Sequence, residues 1–109
     1  MKVIYLDDAI INVDSIVTVK AYTSPILEYI TITTTNGDKF YLHMNIGDIE
    51  YYNAAEQFIL DIEHLIMDET AGDKILDLSR EVIRNELETL EAEDLIYRIE
   101  PVMDYPTTD

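Results

Sequence analysis

The pattern of apolar and polar positions changes period near the middle of this chain, and the change predicts its architecture. Up to Met44 the runs are short and alternate. Lys2–Leu6 is a brief apolar run, and Asp7-Asp8 after it suits a turn. Ile10–Tyr22 is β-branched and apolar, interrupted at Asn12 and at Asp14-Ser15, and Ser24-Pro25 breaks it. Glu28–Thr35 alternates strictly, with Ile30 and Ile32 on one face and Tyr29, Thr31 and Thr33 on the other. Asn36-Gly37 follows, a hairpin signal whose favoured two-residue turn needs positive φ at both positions. The return strand Lys39–Met44 sets Phe40, Leu42 and Met44 against Lys39, Tyr41 and His43.

Beyond Tyr52 the period becomes helical. Asn53-Ala-Ala-Glu56 has capping-box spacing, which makes Asn53 the cap and Glu56 its reciprocal partner. Ala55, Phe58, Ile59, Ile62 and Ile66 then make one apolar face of a helix ending near Met67. Asp68–Asp73 reads as a loop with Gly72 at its turn and Asp73 as a cap. A second helix is expected from about Lys74 to about Glu91, its core face formed by Ile75, Leu76, Val82, Ile83, Leu87 and Leu90. Glu86 and Glu93 fall near that apolar arc, and a buried carboxylate needs a partner, so either the helix rotates them outward, which is the preferred reading, or they mark an edge of an interface. Leu95, Ile96 and Ile99 leave the pattern, so the helix kinks, stops or faces a second partner there, and Leu-Ile-Tyr-Arg-Ile-Glu reads equally as a short strand. The expected fold is α+β: one domain over residues 1–100, an antiparallel sheet of three to four strands packed against two helices (about 53–67 and 74–91). Residues 101–109 are expected to form a flexible tail.

Charge sharpens this division. The chain carries a formal net charge of −16. Residues 1–47 hold five acids against three bases, whereas residues 48–109 hold eighteen against four, and no Lys or Arg occurs from Phe40 through Asp73. At 48% hydrophobic, with many Ile, Val, Thr and Tyr, the chain folds despite this acidity. Such a charge repels phosphate backbones and anionic membranes, so direct nucleic-acid and membrane partners are not expected. A basic protein is. The absence of cysteine excludes disulfides and thiolate metal sites, and suits a reducing compartment. With charge appearing by Asp7 and no long apolar run, a cytoplasmic location is expected (that of the host cell if a phage encodes the chain).

Ile10–Met67 resembles the small FlbD-like bacterial and phage domains, through IINVDSIVTVKAY, YITITTTNGDKFYLH and AAEQFILDIEHLI. The resemblance implies a sheet closed by one amphipathic helix and carries no catalytic residue across.

Catalytic and metal chemistry lack their parts. His43 and His64 are the only histidines, and Asp61 with His64 has no matching acid-x-x-His elsewhere. From Asp68, an EF-hand loop would put Thr70, Gly72 and Ser79 where acids are required. No nucleophile elbow or phosphate-cradling glycine series occurs. The chain is therefore expected to be no enzyme and to need no cofactor. The candidate partner-binding residues are Asp61, Glu63, Asp68, Glu69, Asp77, Glu81, Glu88 and Glu91. On the second helix these acids share a sector in which Arg84 is placed to pair with Glu81 and Glu88. If the two helices lie side by side, the first helix extends the stripe. In size, charge placement and lack of cysteine the chain resembles the small acidic phage inhibitors of the anti-CRISPR kind. That resemblance implies a nucleic-acid mimic filling the basic groove of a defence nuclease such as a CRISPR effector. The competing reading is an oligomerising module, in which the helices and a free sheet edge make a homodimer and the acids only solubilise it. Of the eight tyrosines, Tyr5, Tyr22, Tyr29, Tyr41, Tyr51 and Tyr52 lie in the strand region or at the first helix start, as half-buried sheet and rim residues or else as a sheet-face or edge contact.

Overall fold

A computed structural model describes residues 1–24 and 27–99. The fold is α+β. Among the described residues nine strands and two helices follow in the order β1 (Lys2–Leu6), β2 (Ala9–Asn12), β3 (Ile16–Ser24), β4 (Leu27–Thr34), β5 (Lys39–His43), β6 (Asn45–Ile46), β7 (Ile49–Tyr52), α1 (Ala54–Met67), β8 (Lys74–Asp77), α2 (Arg80–Ala92) and β9 (Tyr97–Ile99). They form three small sheets, ordered β2-β1-β8, β3-β4-β5 and β6-β7-β9. The expected tail, residues 101–109, lies outside the described residues.

One continuous sheet is prevented by local chemistry. Asn12 accepts the Asp14 amide at 2.9 Å on its side chain, and the Ser15 hydroxyl donates to the Asn12 carbonyl at 2.7 Å. These bonds wind Val13–Ser15 into a single 3-10 turn, so the run Ile10–Tyr22 is cut into β2 and β3. The β4–β5 hairpin forms with Ile30 opposite Leu42 and Thr33 opposite Lys39. Its turn differs from the expected two-residue type. Only Gly37 has positive φ (91°), and Thr34 donates to Asp38 while Gly37 donates to Thr34, a type I turn relaxed by a glycine bulge. Ile30, Ile32, Leu42 and Met44 face inward, where Phe58 and Ile62 of α1 join them in one core with Ile4, Ile11, Ile83 and Leu87.

The region 74–79 corrects the expected second helix. Lys74–Asp77 is a strand, paired in parallel with β1 so that Val3 lies opposite Ile75 and Tyr5 opposite Asp77. The exposed edge of β1 supplies backbone partners that outweigh a weak helical preference: Lys74 donates to the Met1 carbonyl and Leu78 to that of Tyr5. Ile75 is consequently not in the core but 70% exposed. The helix begins at Arg80, after Ser79, and buries Ile83, Leu87 and Leu90, with Val82 at the margin. Glu86 and Glu93 are exposed, the latter because α2 ends at Ala92.

The start of α1 is a second correction. Asn53 sits at φ 71° and makes no side-chain cap bond, and no capping box forms. The cap comes from the sheet. Glu28, 1% exposed, accepts the Asn53 amide at 2.7 Å and the Ala55 amide at 2.8 Å with its two carboxylate oxygens. A carboxylate against a helix N-terminus meets both unpaired amides and the positive end of the helix dipole. Asp73 is not a cap either, since its carboxylate binds the Met1 amine at 2.8 Å. Near Glu28 lies Glu50, half-buried, whose Oε2 is out of solvent without a hydrogen-bond partner. Burial, and then the charge of Glu28, push the Glu50 carboxyl above its ordinary range. A raised folded-state value disfavours the fold once the acid ionises and favours it as pH falls through that value. Glu50→Gln is therefore expected to raise the melting temperature at pH 7, with the gain shrinking on acidification, as thermal unfolding across pH will show.

Candidate acidic interaction surface

The eight acids singled out in the sequence do not form one stripe. α1 packs chiefly on β3, β4 and β8 rather than alongside α2. Asp61 and Glu63 are exposed on α1, and partial burial raises the Asp61 carboxyl even though the residue as a whole is exposed. His64, one turn on, is exposed and counters that rise. Glu69 is exposed in the following loop.

Asp68 is committed internally. Its Oδ1 accepts the Thr70 hydroxyl at 2.6 Å and the Thr70 amide at 2.9 Å, and Lys74 Nζ stands 3.4 Å from Oδ2. These bonds, led by the hydroxyl, lower its carboxyl to about 2. A depressed value gives stability that is present above the unfolded-state pKa and is lost as pH falls through about 2. Thr70→Val is expected to move the Asp68 titration midpoint upward, which carboxyl chemical shifts read directly.

The remaining four lie on or before α2. Asp77 ends β8 and accepts the Ser79 amide at 2.9 Å, which leaves one oxygen outward. Glu81 and Glu88 are exposed, and Arg84 between them makes no ion pair with either, contrary to the expected i,i+3 and i,i+4 pairing. Glu91, half-buried, is instead neutralised by Arg98 of β9 at 3.3 Å. It also borders buried Tyr51, whose phenol is raised first by burial and then by Glu91. The residues free to meet a partner are thus Asp61, Glu63, Glu69, Asp77, Glu81 and Glu88.

Sequence reasoning missed a further acidic group. Asp7 and Asp8 form the β1–β2 turn, and Asp7 Oδ2 accepts the Arg80 amide at 3.0 Å, which brings this turn to the start of α2. Asp77, opposite Tyr5, shares the outer face of the first sheet, with Asp7 and Asp8 in the turn at one end and Asp73 just before β8 at the other. There Tyr5 (43% exposed) lies opposite Ile10 (64%), and Val3 lies opposite Ile75. An exposed apolar patch ringed by carboxylates is the anatomy of a binding surface. The sequence carried no local signal for it, because the patch is assembled by the pairing of β8 with the distant β1.

A cleft of about 260 Å³ lies between this turn and β5, lined by Asp7, Asp8, Tyr41, His43, Asn45 and Arg80 over Leu6, Leu78 and Ile83. Among the described residues no group of three or more His, Asp or Glu is placed to hold a metal ion, and no helix is long and apolar enough to cross a membrane. No family model, curated protein or solved structure matches the chain.

Proposed function

We propose that this chain is a protein-binding inhibitor, not an enzyme, that presents its acidic surface to the basic groove of a nucleic-acid-handling protein such as a defence nuclease. The observation that carries this reading is the set of exposed carboxylates left without cations on and around α2, adjoining an apolar patch with an acidic rim. Carboxylates at Asp77, Glu81 and Glu88 would meet Lys and Arg that otherwise hold phosphates, with Glu69, Asp7 and Asp8 adding to the field that steers approach.

Magnitudes limit how literal the mimicry is. α2 spans about 20 Å by its rise per residue and carries four Glu against two Arg. Duplex DNA carries roughly a dozen charges over that length. The helix alone is too sparse to copy a duplex, so the acids act as a diffuse anionic field. Apolar contact through Tyr5, Ile10 and Ile75 would supply the short-range affinity.

The test is a pull-down from host lysate with this chain as bait, eluted in parallel by duplex DNA and by salt. Release of a basic nucleic-acid-binding protein by both is the expected result. A partner indifferent to both eluents, or capture of the chain alone, would sink the proposal.

A further inference from the structure

The outer face of the second sheet differs in charge from the rest of the surface. The strand registers place Thr18, Lys20 and Tyr22 of β3, Tyr29, Thr31 and Thr33 of β4, and Lys39, Tyr41 and His43 of β5 on that one face. The other face carries Glu28, Ile30, Ile32 and Leu42 toward α1 and the core. At the overall frequency of acids in the chain, nine positions would hold about two. This face holds none, and it carries two of the seven Lys and Arg.

Its centre is aromatic and ordered. Tyr22 stacks on Tyr29 with ring centroids 5.0 Å apart and planes 15° apart, and Tyr29 reaches Tyr41 at 6.0 Å and His43 at 5.5 Å. Tyr41 is 54% exposed and Tyr22 42%, yet Thr31 beneath them is buried. A tyrosine centre with few rotatable bonds, charged groups only at the rim and no carboxylate has the composition of an interface core.

Charge selects the occupant. A basic partner has no reason to choose the face without acids. Two copies of this chain, each at −16, meet with least repulsion on that face, because no carboxylate of the face then meets another. The first sheet is the opposite case: its apolar patch is more exposed, but Asp7, Asp8, Asp73 and Asp77 of both copies would ring the seam. Near the second sheet the acids stand at its margins: Asp7 and Asp8 across the cleft from Tyr41 and His43, Asp38 in the β4–β5 turn and Asp14 in the turn before β3.

We infer that two copies dock through Tyr22, Tyr29 and Tyr41 of their second sheets, in an isologous dimer that leaves the acidic surface of each free. Nine residues make less than the roughly 800 Å² per partner of a standard interface, so the dimer is a weak one, with a dissociation constant in the micromolar range or above. The inference does not depend on the inhibitor reading, because the two use different faces.

Sedimentation equilibrium of the full chain from micromolar to near-millimolar concentration tests it. A monomer–dimer equilibrium is expected, strengthened as salt screens the mutual repulsion. Tyr22→Asp with Tyr41→Asp should weaken it about tenfold or more, and Lys20→Glu with Lys39→Glu should weaken it in the same direction. The latter pair keeps the stacked rings and serves if the tyrosine variant misfolds by circular dichroism. Ile10→Asp with Ile75→Asp on the first sheet should leave it unchanged. A monomer at all concentrations, species larger than a dimer, or loss of the dimer only in the first-sheet variant would overturn the inference.

Discussion

Replacing Glu28 by alanine is expected to destabilise the fold by about 2–4 kcal/mol, more than any other single exposed or buried acid would. The side chain is a fully buried carboxylate whose two oxygens each take a backbone amide of the α1 start. Alanine leaves both amides without a partner, that of Ala55 in a buried position, and removes the anion from the positive end of the helix dipole. Charge-assisted bonds of this kind contribute about 1.5–3 kcal/mol each before the cost of burying the carboxylate is set against them. A change of that size lowers the melting temperature of a chain this short by roughly 10–25 °C. Glu28→Gln keeps one acceptor and relieves the repulsion on Glu50, so its loss should be smaller. Thermal unfolding of both variants checks the ordering. Equal, small losses would show that the amides find water or another acceptor.

The second large effect concerns binding. Reversing Asp77, Glu81 and Glu88 to Lys is expected to weaken capture of a basic partner by about two orders of magnitude or more, since three anion–cation contacts become like-charge contacts. Folding should hardly change, because Glu81 and Glu88 are exposed and unpaired and only the hydrogen bond that the Ser79 amide donates to Asp77 is lost. Reversing Asp61 and Glu63 instead should have a lesser effect, as α1 does not lie beside α2. An affinity for partner unchanged by the α2 reversals, or more sensitive to the α1 pair, would move the surface elsewhere.

What the sequence disclosed follows the range of the interactions that made it. The β4–β5 hairpin was legible because its alternation and turn glycine lie within one short stretch of chain, and the apolar face of α1 because its period repeats locally. β8 was not. Its four residues read as the start of a helix, and only the distant edge of β1 makes them a strand. The cap of α1 was misread for the same reason: a local Asn53–Glu56 box was at hand in the sequence, whereas the group that caps the helix sits 25 residues upstream. Ser79, an ordinary N-cap residue just before Arg80, was the one local sign that the second helix starts late.

The same limit applied to the candidate surface. Every acid was visible, but whether Arg84 or Arg98 neutralises it depends on tertiary placement. The acid-free face of the second sheet was half visible, since alternation already put Tyr29, Tyr41, His43 and Lys39 together. Its completion by Lys20 and Tyr22 required the β3–β4 register across Ser24-Pro25.

On the proposed function, affinity for the partner is electrostatic and resides on the acidic surface. The most direct measurement is the dissociation constant for the captured basic protein, titrated with this chain at ionic strengths from well below to well above physiological, with and without competing duplex DNA. Screening over about 8 Å near physiological salt should weaken binding steeply and continuously, and DNA should compete. A dissociation constant that stays level across the salt series, or complexes to which DNA binds without displacing the chain, would contradict it.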